Sequence, residues 1–282
     1  MSDLSLCEPM SPSQPKIDCH VHVFDPARFP YEPDTFYRPT GHEVATVKAL
    51  EDVMFAHGVH HALIVGPNSG YGLDNRCLLD ALDHGAGKFK GLAVVHNKIG
   101  RGELQDLQAR GVIGVTFNAA LLGTQAYTDA APLLRHLHDL GLWAAVQVQH
   151  NQLVALRPML DDSGVKVLID HCGRPEPTAG LGQPGFKALL ELANTGRTVV
   201  KLSSLLKTSQ LPFPHEDAWA YARALLEAFT PSSLVWGSDW PFLRAPERVD
   251  YGPLLSLFAF LVPSPEARHA ILWDTPKRCF GF

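Results

Sequence analysis

The octapeptide Ile17-Asp18-Cys19-His20-Val21-His22-Val23-Phe24 constrains this chain more than any other stretch. Strict alternation predicts Asp18, His20 and His22 on one side of an extended strand, with Ile17, Cys19, Val21 and Val23 on the other. An apolar side packed under helices and two imidazoles turned inward is how the first strand of a catalytic (β/α)8 barrel reads. An edge strand with two solvated histidines gives the same pattern, because the chain carries 14 histidines and His-x-His pairs arise by chance. The rest of the chain decides between the two.

After the octapeptide, residues 24–44 are rich in proline and aromatic side chains, too irregular for a helix. They predict a long ordered loop lying over something. Helical spacing over 46–57 ends at Gly58, and a second strand follows at 61–65. The pattern then recurs, with strands at 91–95, 114–117, 142–148, 166–170, 198–202 and 234–236. Helical segments separate them near 75–84, 103–109, 130–140, 151–160, 186–193 and 217–229, and two more at 253–260 and 265–273 close the chain. Strands alternating with helices imply parallel pairing with right-handed crossovers, and eight such units argue for a closed barrel. Several helix-to-strand joints are short and carry glycine where a left-handed C-cap is wanted: Gly58, Gly111, Gly141, Gly164 and Gly196. Most strand-to-helix joints are long, and in a barrel all of them gather at the C-terminal mouth, where sites are built. The expected fold is a single distorted TIM barrel over 16–282, preceded by a flexible arm over 1–15.

Composition narrows the function. A chain of 282 residues, 46% hydrophobic and with net charge −5, has ample core and no basic footprint for nucleic acid. Its five scattered cysteines, without a C-x-x-C pair, read as free thiols in a reducing compartment. No leader-like apolar segment opens the chain, and no stretch approaches ~18 uninterrupted apolar residues. The expectation is a cytoplasmic protein acting on a small molecule, with no membrane partner and an oligomeric state the sequence does not specify.

Three polar clusters fall at strand ends: His20 and His22 after strand one, Asp170-His171-Cys172-Gly173-Arg174-Pro175 after strand six, and Trp236-Gly237-Ser238-Asp239-Trp240-Pro241 after strand eight. Singly, each has a plain structural use: Asp170 as a cap or a partner of Arg174, His171 as a core histidine, Asp239 as a turn residue. Jointly, at one mouth, they point to chemistry. No Gly-x-Ser-x-Gly nucleophile elbow is present.

In combination these motifs resemble the amidohydrolase superfamily, in the branch around 2-pyrone-4,6-dicarboxylate hydrolase and the sugar-acid lactonases. The likeness spans 17–282 and includes Asp74-Asn75, Thr116-Phe117-Asn118, Lys201-Leu202-Ser203 and Leu272-Trp273-x-x-Pro276. It implies that Asp239 is the general base activating water, while His20, His22 and His171 polarise the scissile carbonyl and hold its oxyanion. A carboxylate beside imidazoles stays ionised, and imidazole N–H groups donate to an oxyanion, so the assignment is physically sound. His20, His22 and Asp239 also match metal-binding positions of the superfamily. Strand four, however, ends in Thr116 and Asn118 with no bridging lysine or glutamate, and strand five offers Gln147 and Gln149, poor zinc ligands. That pattern argues against a binuclear centre and leaves metal-free hydrolysis, the expectation here, or a single Zn2+.

By the same resemblance Tyr37 contacts substrate from the aromatic loop. Either Asn68 or Ser69 does so after strand two, with Asn118, Gln147 and Lys207 as further substrate-binding candidates. Packing on the barrel rim accounts equally well for Tyr37, and turn chemistry for Asn68 and Ser69. Lys201, inside strand seven, suits an internal salt bridge to Asp239 or Asp18. Thr116, Leu122 and Lys207 stand where the pyrone dicarboxylate hydrolase carries substrate-binding arginines, which implies a neutral or singly charged lactone as substrate. A lactone isomerase, a decarboxylase and a silent binding barrel are the alternatives. Decarboxylases usually keep a histidine at the end of strand five, where this chain has glutamines.

Overall fold

Eight parallel strands follow one another around the structure, a computed structural model describing residue 10 and residues 13–282. The expected arm over 1–15 lies almost wholly outside the described residues. The strands are β1 (Lys16–Val21), β2 (Val59–Val65), β3 (Phe89–Ala93), β4 (Val112–Asn118), β5 (Trp143–Gln147), β6 (Lys166–Ile169), β7 (Thr198–Ser203) and β8 (Leu234–Gly237), paired in sequence order. Around them run α1 (Val47–His57), α2 (Arg76–Gly85), α3 (Arg101–Ala109), the single turn α4 (Ala119–Leu122), α5 (Ala131–Leu140), α6 (Gln152–Ser163), α7 (Pro184–Glu191) and α8 (Trp219–Ala228). After β8 come α9 (Tyr251–Leu261), α10 (Pro265–His269) and α11 (Thr275–Phe280). Among the described residues, no helix is long and apolar enough to cross a membrane.

Three helices stop at the glycines the sequence offers. Gly58 ends α1 at φ 64°, Gly141 ends α5 at 67° and Gly164 ends α6 at 66°. These are left-handed conformations that a Cβ would strain.

Two apolar layers make the core. Ile17, Cys19, Leu63, Val65, Leu92, Ala145, Leu168, Val199 and Val235 fill the barrel interior, and Trp143 and Phe280 pack with them. Outward-facing strand residues such as Ala62, Ile64, Val146 and Ile169 pack with helix side chains such as Leu50, Met54, Leu134 and Leu153.

The alternation expected for β1 breaks at a bulge. Asp18 pairs with Ala62 but Val21 pairs with Ile64, so three residues of β1 advance against two of β2. Ile17 and Cys19 therefore face the interior below, whereas Asp18 and Val21 face out, and His20 and His22 turn into the mouth. Asp18 is not part of the mouth. Its Oδ1 accepts from the backbone N–H groups of His20 and Ser238, both at 3.0 Å, and its Oδ2 accepts from the Tyr251 hydroxyl at 2.7 Å.

The seam between β8 and β1 sets the site. His22 N–H donates to Trp240 O and Asp239 N–H donates to His20 O, each at 2.9 Å. A Cβ on Gly237 would lie 2.7 Å from that of His20, so only glycine lets the two chains approach this closely. The closure that completes the barrel thus sets Asp239 beside both histidines.

Candidate functional site

His20, His22, His171 and Asp239 come together at the C-terminal mouth, every one of them buried. The Nε2 atoms of His20, His22 and His171 stand 3.5, 3.6 and 3.9 Å from Asp239 Oδ1. That oxygen is buried and accepts no hydrogen bond. Its neighbour Oδ2 is occupied: Ser204 Oγ donates to it at 2.7 Å, and Lys207 Nζ lies 2.6 Å away. Asp239 at φ 63° and His171 at φ 51° both hold left-handed backbone, strain of the kind that clusters at functional sites.

The outer nitrogen of each imidazole is fixed from behind. Val65 O lies 2.8 Å from His22 Nδ1 and can only accept, so the proton sits on Nδ1. Ser203 Oγ lies 2.9 Å from His171 Nδ1. His20 Nδ1 meets Lys201 Nζ at 3.1 Å; an ammonium can only donate, which leaves the His20 proton on Nε2, facing Asp239. Lys201 in turn lies 2.9 Å from Asp170 Oδ1. Its partners are Asp170 and His20, and the expected partners Asp18 and Asp239 are engaged elsewhere.

Electrostatics follow from this packing. Burial alone would raise the pKa of Asp239, but the Lys207 ammonium and the imidazoles outweigh it and hold the carboxyl well below its usual range. Asp170 is likewise lowered: burial opposes ionisation, and Lys201 and His20 overcome it. Burial and the Lys201 cation bring His20 down to about 4, and burial takes His171 well below its ordinary value. At neutral pH both of these rings are uncharged beside ionised carboxylates.

A cavity of about 420 Å3 opens above this cluster, walled by His20, His22, Asn68, Ser69, Thr116, Asn118, Gln147, Gln149, Arg174, Lys207 and Arg244 among others. Asn68 and Ser69 both line it. Asn118 donates from Nδ2 to Asn68 Oδ1 at 2.9 Å while its own Oδ1 caps α4 at Leu121 N–H. Tyr37 does not line the cavity. Its hydroxyl donates to Glu43 Oε2 at 2.5 Å, and the Arg244 guanidinium lies 5.5 Å from its ring centroid. Beside it in the loop, Phe36 faces the cavity.

Ser204 and Arg244 escaped the sequence reading. Ser204 follows the Lys-Leu-Ser triplet in a left-handed conformation, and Arg244 sits in an irregular loop with no motif around it. Arg174 lines the cavity with a buried Nε that finds no partner, and burial lowers its pKa.

Among the described residues, two groups of donors could hold a metal ion: His20, His22 and Asp239, or His20, Asp170 and His171. In the first, the bare Asp239 Oδ1 and facing imidazole nitrogens suit a single Zn2+ in donor type. The second already has a cation against it, since the Lys201 ammonium lies on both His20 Nδ1 and Asp170 Oδ1.

Residues 17–282 match the family described as amidohydrolase. Among curated relatives, 4-sulfomuconolactone hydrolase of Rhizobium radiobacter is 33% identical over 275 residues, covering 94% of this chain and 89% of the relative. The 2-pyrone-4,6-dicarboxylate hydrolase of Comamonas testosteroni is 28% identical over 291 residues, covering 96% and 93%. A crystal structure of a probable 2-pyrone-4,6-dicarboxylic acid hydrolase from Acinetobacter baumannii, with citric acid bound, superposes with TM-score 0.86 at 29% identity, covering 95% of this chain and 99% of that one. Sequence motifs and barrel agree with these likenesses, and the chain belongs to the amidohydrolase family, in the branch close to 2-pyrone-4,6-dicarboxylate hydrolase and the sugar-acid lactonases.

Proposed function

We propose that this protein hydrolyses a lactone of a small organic acid, neutral or carrying one negative charge, by direct attack of water. The observation that carries the reading is the buried, unpaired Asp239 Oδ1 facing three imidazole nitrogens. A carboxylate oxygen left free while its twin is held by Ser204 and Lys207 is a proton acceptor with a fixed direction. The similar relatives whose names include a lactone or a pyrone hydrolase support the same reaction class.

Water attacks the lactone carbonyl and passes its proton to Asp239 Oδ1. The tetrahedral oxyanion accepts from His20 Nε2–H, whose proton is set there by Lys201, with His171 alongside, while His22, protonated on Nδ1 toward Val65 O, lines the mouth without donating. When the ring C–O bond breaks, the leaving alkoxide takes the proton back from Asp239, so acid and base are one residue. Lys207 lines the cavity and holds Asp239 Oδ2, so an anionic substrate group that draws the ammonium away uncovers the carboxylate and strengthens it as a base.

Were a metal bound, His20, His22 and Asp239 would hold it, and it would supply Lewis acidity and a more acidic water. The Lys201 contact works against that use, because a His20 protonated on Nε2 offers no lone pair to a metal. Hydrolysis without a required metal is therefore the reading adopted.

A panel of lactones followed with a pH indicator, with and without chelator, tests it. Acid release that survives chelator and disappears in Asp239→Asn supports the proposal. Isomerisation or loss of carbon dioxide without acid release, or no turnover of any lactone, overturns it.

A further inference from the structure

A second cavity, of about 600 Å3, adjoins the first and shares Phe36, Asn68, Thr116 and Leu121 with it. Its character is different. Nine large hydrophobic side chains are exposed among the described residues, and four of them, Phe36, Leu73, Leu121 and Leu122, wall this one space. Exposed apolar surface gathered in one place beside a site marks binding, whereas scattered singly it means nothing. The inner cavity holds the cations, Arg174, Arg244 and Lys207, and the outer one has carboxylates, Glu32 and Asp34.

We infer that the outer cavity is a subsite for an apolar substituent of the substrate, an alkyl or aryl group attached to a lactone whose anionic group stays in the inner cavity. The inference rests on the hydrolase reading and specifies its substrate class. An anionic tail is disfavoured there by Glu32 and Asp34, and a chain of methylenes gains by covering the leucines. Thr116 lines both spaces, with a short side chain where they adjoin.

Two measurements test this on the full chain. The first is calorimetric affinity for sodium salts of straight-chain monocarboxylic acids from acetate to octanoate, which needs no turnover. The second is kcat/KM on a series of carboxylated lactones with alkyl chains of increasing length. Both should rise by ~2–4-fold per methylene, the increment of apolar burial at a half-open surface. Leu122→Asp and Leu73→Asp should flatten the rise, and Phe55→Asp, on an exposed side chain elsewhere, should leave it intact. A series with no dependence on chain length, or one with the same slope in Leu122→Asp and Leu73→Asp, overturns the subsite. Lactone turnover with flat series sinks the subsite alone. A rising carboxylate series with no lactone turned over sinks the hydrolase reading and keeps the subsite.

Discussion

Lys201 Nζ lies between His20 Nδ1, at 3.1 Å, and Asp170 Oδ1, at 2.9 Å, with no exposure to solvent. One buried ammonium thus fixes a histidine tautomer and neutralises a buried carboxylate. Removing it alone leaves Asp170 unpaired, so Lys201→Met should cost ~3–5 kcal/mol. Lys201→Met/Asp170→Asn removes both charges and should recover most of that loss. A denaturation cycle with no coupling between the two sites would contradict the pairing.

The same pair sets an acid limit on stability. Asp170 and Asp239 have folded pKa values below the ordinary carboxylate value of 3.8. A lowered folded pKa means that their contribution is fully present above about pH 4 and is lost as pH falls below it towards the folded values. Thermal melts of the wild type should lose stability below about pH 4, and Lys201→Met/Asp170→Asn should lose less over the same interval. Identical acid profiles would remove Asp170 from this role.

For Asp239 itself, Asp239→Asn keeps the shape and cannot take a proton. Turnover on any lactone the protein hydrolyses should fall by ~10²–10⁴-fold with the fold retained. Activity within a few-fold of wild type would take the general-base role from it. Lys207→Gln removes the nearest cation, so Asp239 should titrate at higher pH and the acid limb of kcat/KM should move up. An unmoved limb would show that the limb belongs to another group.

The barrel was legible because its signals are local. Gly58, Gly141 and Gly164 each stop the helix before them in a left-handed conformation, and alternation of helical and extended periods needs no knowledge of neighbours. The bulge in β1 was not legible, because a two-residue period cannot show that three residues will advance against two. Hence Asp18 reads as a third mouth residue although it secures the seam to Ser238 and Tyr251. His20, His22, His171 and Asp239 stood out through motifs at strand ends. Arg244, Phe36 and Ser204 did not, since irregular loops carry no period and their side chains meet the cavity only after the chain has folded.

Metal content follows from where the cations already are. Lys201 occupies the donors His20 Nδ1 and Asp170 Oδ1, and neither Thr116 nor Asn118 can bridge two ions. Elemental analysis of the purified protein should give at most one equivalent per chain, with activity retained after chelation. Two equivalents of zinc or manganese, with activity lost to chelator, would overturn both the occupancy and the metal-free reading.

The charge the mouth accepts is the last expectation. Thr116 and Leu122 stand where the resemblance to 2-pyrone-4,6-dicarboxylate hydrolase puts guanidiniums, and neither can pair a carboxylate. Thr116 lines both cavities and Leu122 walls the apolar one. Lys207, at the third such position, is a point charge shared with Asp239 at 2.6 Å, so it meets at most one carboxylate. Arg38 does not help, since it donates to the backbone oxygens of Glu32 and Pro33 outside the inner cavity. Arg174 and Arg244 remain, both in the inner space, and suit one anionic group there. A second carboxylate would enter the outer space against leucines and beside Glu32 and Asp34, unpaired, at a cost of several kcal/mol. The protein should therefore act poorly on 2-pyrone-4,6-dicarboxylate and better on a lactone with a single charge. A kcat/KM on the dicarboxylate above ~10⁴ M⁻¹s⁻¹, the ordinary range for a true substrate, would refute this reading of the mouth.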